Sequence, residues 1–227
     1  MLRNSKRMLP LFACWIVSLL AMRVAPSVAL AAPAETPDVI RSLQPFVDDH
    51  VLAGAVLLVA SKDKTLSLQA IGSADIAANR AMKTDDLFWI ASMTKPMTAT
   101  ALMMLVDEGK VHLDDPVEKY LPEFKGMMVQ VEKDDEHLLA RKPPQPITVW
   151  NVLTHTSGLT PRTPIEMVHV DALSLENNVL TYPFSPLKFE PGTKWEYSNA
   201  GINTAGRIIE VVSGMPYEQF MQERLFT

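Results

Sequence analysis

The stretch LFWIASMTK, residues 87–95, decides the fold because it places a serine and a lysine at the start of the strongest helical pattern in the chain. Apolar residues recur at helical spacing over residues 93–108, and Gly109 follows where a left-handed residue commonly ends a helix. In such a helix, Ser92 and Lys95 lie one turn apart on the same face. The pattern therefore predicts a helix that presents a hydroxyl beside an ammonium group at its first turn.

A serine followed three residues later by a lysine is a weak signal by itself, and it occurs three times in the chain. Such a lysine lowers the cost of forming a serine alkoxide, and a helix N-terminus adds a positive field. The pairs in residues 61–64 and 185–188 fall in a polar turn and in an irregular stretch, so no helix holds them together. Ser92 and Lys95 are therefore the candidate pair, and a simple helix cap at Ser92 is an equal alternative on this pair alone.

A second feature is the stretch PGTKWEYSN, residues 191–199, which brings Tyr197 and Asn199 two residues apart just before another helical pattern. In an extended segment these two side chains point the same way. A tyrosine beside a protonated lysine can act as a general base, and an asparagine can bind an amide group. The alternative is a buried tyrosine followed by an asparagine that caps a helix.

Together, SMTK at residues 92–95 and YSN at residues 197–199 resemble the first two of three motifs of the serine β-lactamase and penicillin-binding-protein superfamily. Two landmarks fit the same group: LDDPV at residues 113–117 and LTHTSGL at residues 153–159. The resemblance runs from about residue 38 to the end of the chain. The tyrosine form of the second motif resembles the class C β-lactamases, the related D-alanyl-D-alanine carboxypeptidases and the esterases of this group.

The resemblance implies an α/β (α+β) fold of the β-lactamase/transpeptidase type, in which helices flank an antiparallel sheet and form a helical subdomain. It implies a serine hydrolase that forms an acyl-enzyme on a β-lactam, a D-alanyl-D-alanine peptide of peptidoglycan or a small ester. Ser92 would be the nucleophile, and Lys95 with Tyr197 would move its proton. Asn199 would help to bind the substrate, and the Ser92 backbone N–H would form half of an oxyanion hole. No cofactor is implied.

The chain departs from the family at the third motif, a lysine or histidine followed by a small residue and a glycine on a strand beside the site. Residues 200–227 contain neither lysine nor histidine, so we expect this motif and the C-terminal strands that carry it to be missing. We interpret the chain as the N-terminal part of a longer enzyme, with little or no turnover alone. The alternative is a non-catalytic penicillin-binding-like protein or an inactive remnant.

The N-terminus has the three parts of a secretory signal peptide, predicted here as residues 1–31. Three basic residues precede an apolar run over residues 9–22, and small residues 29–31 offer a cleavage site. Residues 32–227 would then form the hydrolase domain, located in the periplasm or outside the cell without stable membrane insertion. A retained segment would instead tether the protein to the membrane, although the apolar run is short for a span of about 20 residues.

The composition of the chain restricts the classes of molecule that it could bind. The chain is 48% hydrophobic and 21% charged, which fits a globular protein and excludes a disordered one. Residues 1–31 hold four of the 21 basic residues and no acidic one, so the remainder has 17 basic and 26 acidic residues, a net charge of −9. An acidic, exported protein is a poor fit to a nucleic-acid partner. Its oligomeric state is not predictable from these patterns.

No metal site is predicted, because the single cysteine, Cys14, falls in the signal segment and no histidines are spaced as ligands on a helix. His155 follows a predicted helix end, and the chain lacks the G-x-S-x-G motif that accompanies many catalytic triads, so we predict a structural role for His155.

Weaker patterns predict the remaining secondary structure. Before Ser92 they predict a first helix over residues 38–51 that Pro45 can kink, and a hairpin of residues 53–60 and 65–71. After the predicted helix over residues 93–108 they predict a surface loop over 130–146, a helix over 148–153 capped by Thr148, and a loop-rich region with short helices over 161–192. The last predicted elements are a helix over 199–213 capped by Gly214 and a helix that begins at Pro216.

Overall fold

The structure is a computed structural model that describes residues 39–160 and 173–226. The signal-peptide prediction for residues 1–31 lies outside these residues. The described residues divide into two compact units, the first ending at residue 87 and the second beginning at residue 88.

The first unit contains a hairpin followed by a short third strand. β1 (Gly54–Ala60) and β2 (Thr65–Asp75) pair antiparallel, with Gly54 opposite Gly72 and Leu58 opposite Leu68. In the turn between them, the Ser61 N–H donates to the Lys64 carbonyl. The predicted hairpin is confirmed, and β2 is longer than predicted. Its elements are a 3₁₀ helix (Val39–Leu43), α1 (Gln44–Asp48), β1 (Gly54–Ala60), β2 (Thr65–Asp75) and β3 (Arg80–Ala81).

The predicted first helix consists of two elements in the structure. Residues 39–43 form a 3₁₀ helix, and α1 begins at Gln44 with Pro45 in its first turn. Proline has no N–H to donate and its fixed φ suits the start of a helix, so the α-helix restarts there. The periodicity predicted helical backbone but not this break.

The second unit is built mainly from helices. Its elements are a 3₁₀ turn (Ala91–Met93), α2 (Thr94–Asp107), 3₁₀ helices (Val117–Lys119 and Pro122–Phe124), β4 (Val129–Lys133), β5 (Leu138–Arg141), α3 (Val149–Leu153), α4 (Leu175–Thr181), a 3₁₀ turn (Tyr182–Phe184), α5 (Asn199–Ser213), α6 (Tyr217–Phe220) and a π-helical turn (Met221–Leu225).

α5 is the central helix of this unit, because α2, α3, α4 and α6 all pack against it. Its buried face includes Ile208 and Ile209, and α2 contributes Leu102 and Leu105 to the same core. Gly201 allows the close approach of α3, since a Cβ at this position would lie 2.8 Å from the Val152 carbonyl oxygen. The core therefore fixes where α2 and α5 begin.

Most helix boundaries in the second unit match the predicted ones. Gly109 follows α2 with φ +70, and Gly214 caps α5 in the left-handed conformation, also with φ +70. Thr148 caps α3 through a capping box with Asn151, whose side chain accepts the Thr148 N–H. Within the described part of residues 161–192, only short helices occur.

The predicted surface loop over residues 130–146 is wrong for its first half, which forms the β4–β5 hairpin. β4 alternates apolar and polar residues only over 129–132, and the charged residues and prolines that follow gave the prediction of a loop. The hairpin is held from its base, where Val129 is buried and the Gln130 N–H donates to the Leu187 carbonyl at 2.8 Å. This backbone pairing with a distant segment holds the base of the hairpin in place, and a local sequence pattern does not reveal it.

No helix within the two described ranges is long and apolar enough to cross a bilayer.

Asp115 joins the loop after α2 to the start of α3. Its Oδ2 accepts hydrogen bonds from the His112 N–H at 3.1 Å, the Lys119 ammonium at 2.7 Å and the Tyr120 hydroxyl. Its backbone carbonyl accepts the Val149 N–H at 3.0 Å. Lys119, followed by Tyr120, lowers the pKa of Asp115 from 3.8 to about 2.

We expect Asp115→Asn to lower the free energy of unfolding at pH 7 by about 1–2 kcal/mol, because it removes the charge from three hydrogen bonds. Because the pKa of Asp115 is lower in the folded chain than its ordinary value of 3.8, the carboxylate stabilises the fold fully above pH 3.8. This contribution disappears as the pH falls toward about 2. Urea unfolding across this pH range should show wild type and variant converging at the acid end. A constant difference at every pH would contradict this assignment.

Candidate active site

Ser92 lies in the 3₁₀ turn that leads into α2, directly after a strained residue. Ala91 has φ +45, a left-handed conformation that costs a non-glycine residue roughly 1–2 kcal/mol. The N-cap residues of the turn and of α2 are Ile90 and Met93, and neither uses a side-chain cap. The alternative of Ser92 as a simple helix cap is therefore wrong, and its hydroxyl is free for other contacts.

The structure brings Ser92, Lys95 and Tyr197 together. Ser92 Oγ lies 2.5 Å from the Tyr197 hydroxyl oxygen, and either hydroxyl can donate. Lys95 Nζ donates to Ser92 Oγ at 3.2 Å and lies 4.8 Å from the centroid of the Tyr197 ring. This arrangement connects a nucleophile, a cation and a phenol by direct contacts.

Electrostatics in this group favours the phenolate form of Tyr197. The ammonium of Lys95, and next the Ser92 hydroxyl, lower the pKa of the Tyr197 phenol below its ordinary value of 10.0. The side chain is 43% exposed, so the alternative of a buried structural tyrosine is wrong. In its phenolate form, Tyr197 can take the proton of the serine hydroxyl that it contacts.

Asn199 is the first residue of α5 and does not cap it. The cap is Ser198, whose Oγ accepts the Gly201 N–H at 3.2 Å. The predicted alternative of a capping asparagine is therefore wrong, and Asn199 lines the same cavity as Ser92. Its contact with a substrate stays a prediction.

The cavity beside Ser92 has a volume of about 560 Å³. Its walls contain both polar and apolar side chains, and Lys95 is the charged residue among the described residues that line it. The lining residues are Trp89, Ala91, Ser92, Thr94, Lys95, Thr98, Leu173, Leu175, Asn178, Asn199, Ile202, Asn203, Gly206 and Tyr217.

The other two serine-lysine pairs have partners of their own. The Ser61 hydroxyl accepts the Lys64 N–H at 3.2 Å within the hairpin turn. Lys188 forms an ion pair with Glu196 at 2.5 Å. In residues 39–160 and 173–226, no group of three or more His, Cys, Asp or Glu side chains is arranged to hold a metal ion.

His155 is the functional-site residue whose position the sequence did not predict. Its ring stacks on the Tyr197 ring with 4.8 Å between centroids, and its Nδ1 accepts the Ser198 N–H at 3.1 Å. Burial, followed by the charge of Lys95, lowers the pKa of His155 below 6.5. The sequence around His155 predicted only the end of a helix, and not the hydrogen bond to Ser198, which lies 43 positions away.

The similarity of this chain to known proteins includes the residues of this site. Residues 39–227, which include the whole group around Ser92, match the family model described as Beta-lactamase. The chain belongs to the beta-lactamase family. The predicted superfamily and its α/β fold are thereby confirmed, and the class C form stays a prediction.

Three relatives illustrate the range of this beta-lactamase family. Esterase EstB of Burkholderia gladioli is 35% identical over 177 residues, which cover 73% of this chain and 42% of the esterase. The D-alanyl-D-alanine-carboxypeptidase/endopeptidase AmpH of Escherichia coli K12 is 28% identical over 206 residues, 88% of this chain and 50% of AmpH. The solved structure of EstCE1, a hydrolase with promiscuous acyltransferase activity, superposes with a TM-score of 0.68 at 27% identity, over 82% of this chain and 49% of EstCE1. The chain thus spans about half the length of these relatives or less.

We expect the Tyr197 phenol to titrate at a lower pH than an ordinary tyrosine, since Lys95 favours its ionised form. Ultraviolet difference spectra of wild type against Tyr197→Phe isolate this titration. Lys95→Gln should move it back toward 10.0, and Tyr217→Phe, which removes a phenol whose pKa is raised by burial, should leave it unchanged. An unshifted Tyr197 titration in wild type would contradict the electrostatic role of Lys95.

Proposed function

We propose that this chain carries the acylating residues of an exported serine hydrolase that cleaves an ester or an amide through an acyl-enzyme. The observation that carries the proposal is the 2.5 Å contact between Ser92 Oγ and the Tyr197 hydroxyl, with Lys95 beside both groups. A serine in contact with a base that is itself held by a third group is the arrangement that nucleophilic catalysis requires.

In the proposed reaction, Tyr197 as phenolate takes the Ser92 proton while Oγ forms a bond to the substrate carbonyl carbon. The Ser92 backbone N–H donates to the oxyanion, and Lys95 stabilises the phenolate from which the reaction starts. The tetrahedral intermediate then expels the alcohol or amine, which receives the proton from Tyr197. Water attacks the resulting acyl-serine, Tyr197 takes a proton from that water, and the proton returns to Ser92 as the acid is released.

The relatives favour an ester as the substrate. Esterase EstB is 35% identical to this chain over 177 residues. EstCE1 is described as a hydrolase with promiscuous acyltransferase activity, which also requires transfer of an acyl group. We therefore propose a small ester as the substrate class.

A peptide substrate is the second candidate, since AmpH is named a D-alanyl-D-alanine-carboxypeptidase/endopeptidase. Asn199 would then bind the peptide amide from its position on the cavity wall. Fluorescent penicillin, which acylates enzymes of that type, separates the two candidates: rapid labelling supports the peptide, and labelling much slower than ester acylation supports the ester.

Export is part of the same proposal. It rests on the charged start, apolar run and small residues of positions 1–31, which lie outside the described residues. The N-terminal residue of the protein recovered from the cell envelope or medium decides between cleavage and retention of this segment.

We expect a p-nitrophenyl ester with a short acyl chain to release a burst of one equivalent of p-nitrophenol per protein. Ser92→Ala should abolish the burst, and Lys95→Met should slow it by roughly 10²–10⁴-fold, because general base and charge stabilisation are lost together. Ser185→Ala is the matched control, since its serine also precedes a lysine by three residues, and should leave the burst unchanged.

A burst without further turnover would support Ser92 as the acylated residue and contradict hydrolysis of the acyl-enzyme by this chain. A burst that persists in Ser92→Ala, or no burst with any ester or penicillin, would contradict the proposed function.

A further inference from the structure

His155 contacts three consecutive residues around the proposed base. Its backbone carbonyl accepts the Glu196 N–H at 2.9 Å, its ring stacks on Tyr197, and its Nδ1 accepts the Ser198 N–H at 3.1 Å. The residue before Tyr197, Tyr197 itself and the residue after it are thus all held by one residue. A histidine that only filled space would not need this pattern of two hydrogen bonds and a stacked ring.

His155 is itself held in place from two sides. The Thr156 N–H donates to the Asn151 carbonyl of α3 at 2.9 Å, which fixes the chain just after His155. The Trp195 ring packs edge-on against the imidazole, with 5.9 Å between centroids and 79° between planes. His155 adopts φ +59, a left-handed conformation that is uncommon for a residue other than glycine. These contacts aim the ring at Tyr197.

We propose that neutral His155 is a positioning residue that holds Tyr197 against Ser92, and that protonation of His155 releases Tyr197 and stops acylation at acid pH. The proposal rests on the proposed function of Ser92. It follows from the bond to Ser198, because Nδ1 accepts this N–H only while it carries no proton. A protonated ring would also place a second positive charge beside Lys95.

The charges around His155 also favour its neutral form. Among the described residues, the titratable groups that face it are Lys95 from the first turn of α2 and the phenol of Tyr197, and the Glu196 carboxylate next to them is paired with Lys188. Burial and Lys95 lower the pKa of His155, so the ring stays neutral at pH 7. A lowered histidine pKa means that the bond to Ser198 is intact above this pKa and is lost as the pH falls through it.

Two substitutions separate the parts of this role. His155→Asn offers an acceptor oxygen near the position of Nδ1 but does not titrate and does not stack. His155→Phe keeps the stacked ring but leaves the Ser198 N–H without its acceptor. His137→Asn is the matched control, because His137 is a histidine with a 78% exposed side chain in the β4–β5 turn.

The first measurement is the rate constant of the p-nitrophenol burst as a function of pH. In wild type, we expect the acid side of the profile to fall with two protons, one for Tyr197 and one for His155. In His155→Asn it should fall with one proton, while His155→Phe should lower the rate by roughly tenfold or more across the profile, because a partly buried N–H loses its acceptor. His137→Asn should match wild type.

The second measurement does not depend on acylation. In NMR titrations, the ring signals of Tyr197 should shift at the same acid pH at which His155 protonates, and this shift should be absent in His155→Asn. If the signals are coupled but no ester acylates Ser92, the proposed function fails and the positioning role stands.

If Ser92 acylates while His155→Asn keeps the two-proton profile and Tyr197 shifts independently of His155, the positioning role is overturned. Circular dichroism reports whether His155→Phe folds. If it does not, the comparison of wild type with His155→Asn decides.

Discussion

The packing of α2 against α5 is the constraint on which the rest of the site depends. Ser92 and Lys95 belong to the start of α2, and Tyr197 and Asn199 belong to the segment that enters α5. Because these two helices share a buried core, their first turns open onto one cavity. Residues about a hundred positions apart in sequence are thereby held at hydrogen-bond distance. A shift of either helix along the other would separate the phenol from the serine hydroxyl.

The ends of the helices also contribute electrostatically. A helix N-terminus carries a partial positive charge, which favours negative charge on groups near its first turn. Ser92 lies just before α2 and Tyr197 lies two residues before α5, so both oxygens that become negative during the proposed reaction are near such ends. Lys95 adds a full charge to the same place. The strained backbone at Ala91 is consistent with a site in which geometry is maintained at a cost in stability.

Much of this arrangement was predictable, because it depends on local rules. Periodic apolar residues followed by Gly109 and Gly214 gave α2 and α5 nearly to the residue, and helical context separated Ser92 and Lys95 from two pairs with identical spacing. The β4–β5 hairpin was missed because charged residues and prolines dominate residues 130–146, and because the backbone bonds that hold its base come from a distant residue, Leu187. His155 was missed for a similar reason, since its partners belong to a distant segment and only the folded chain brings them together.

The central claim is that the fold makes Ser92, and no other serine with a lysine three residues later, the nucleophile. Peptide mapping by mass spectrometry after reaction with a fluorophosphonate tests this most directly, because the reagent stays covalently on the residue that attacks it. We predict a single adduct on the peptide that contains Ser92. An adduct on Ser61, on Ser185 or on Tyr197, with Ser92 unmodified, would contradict the account.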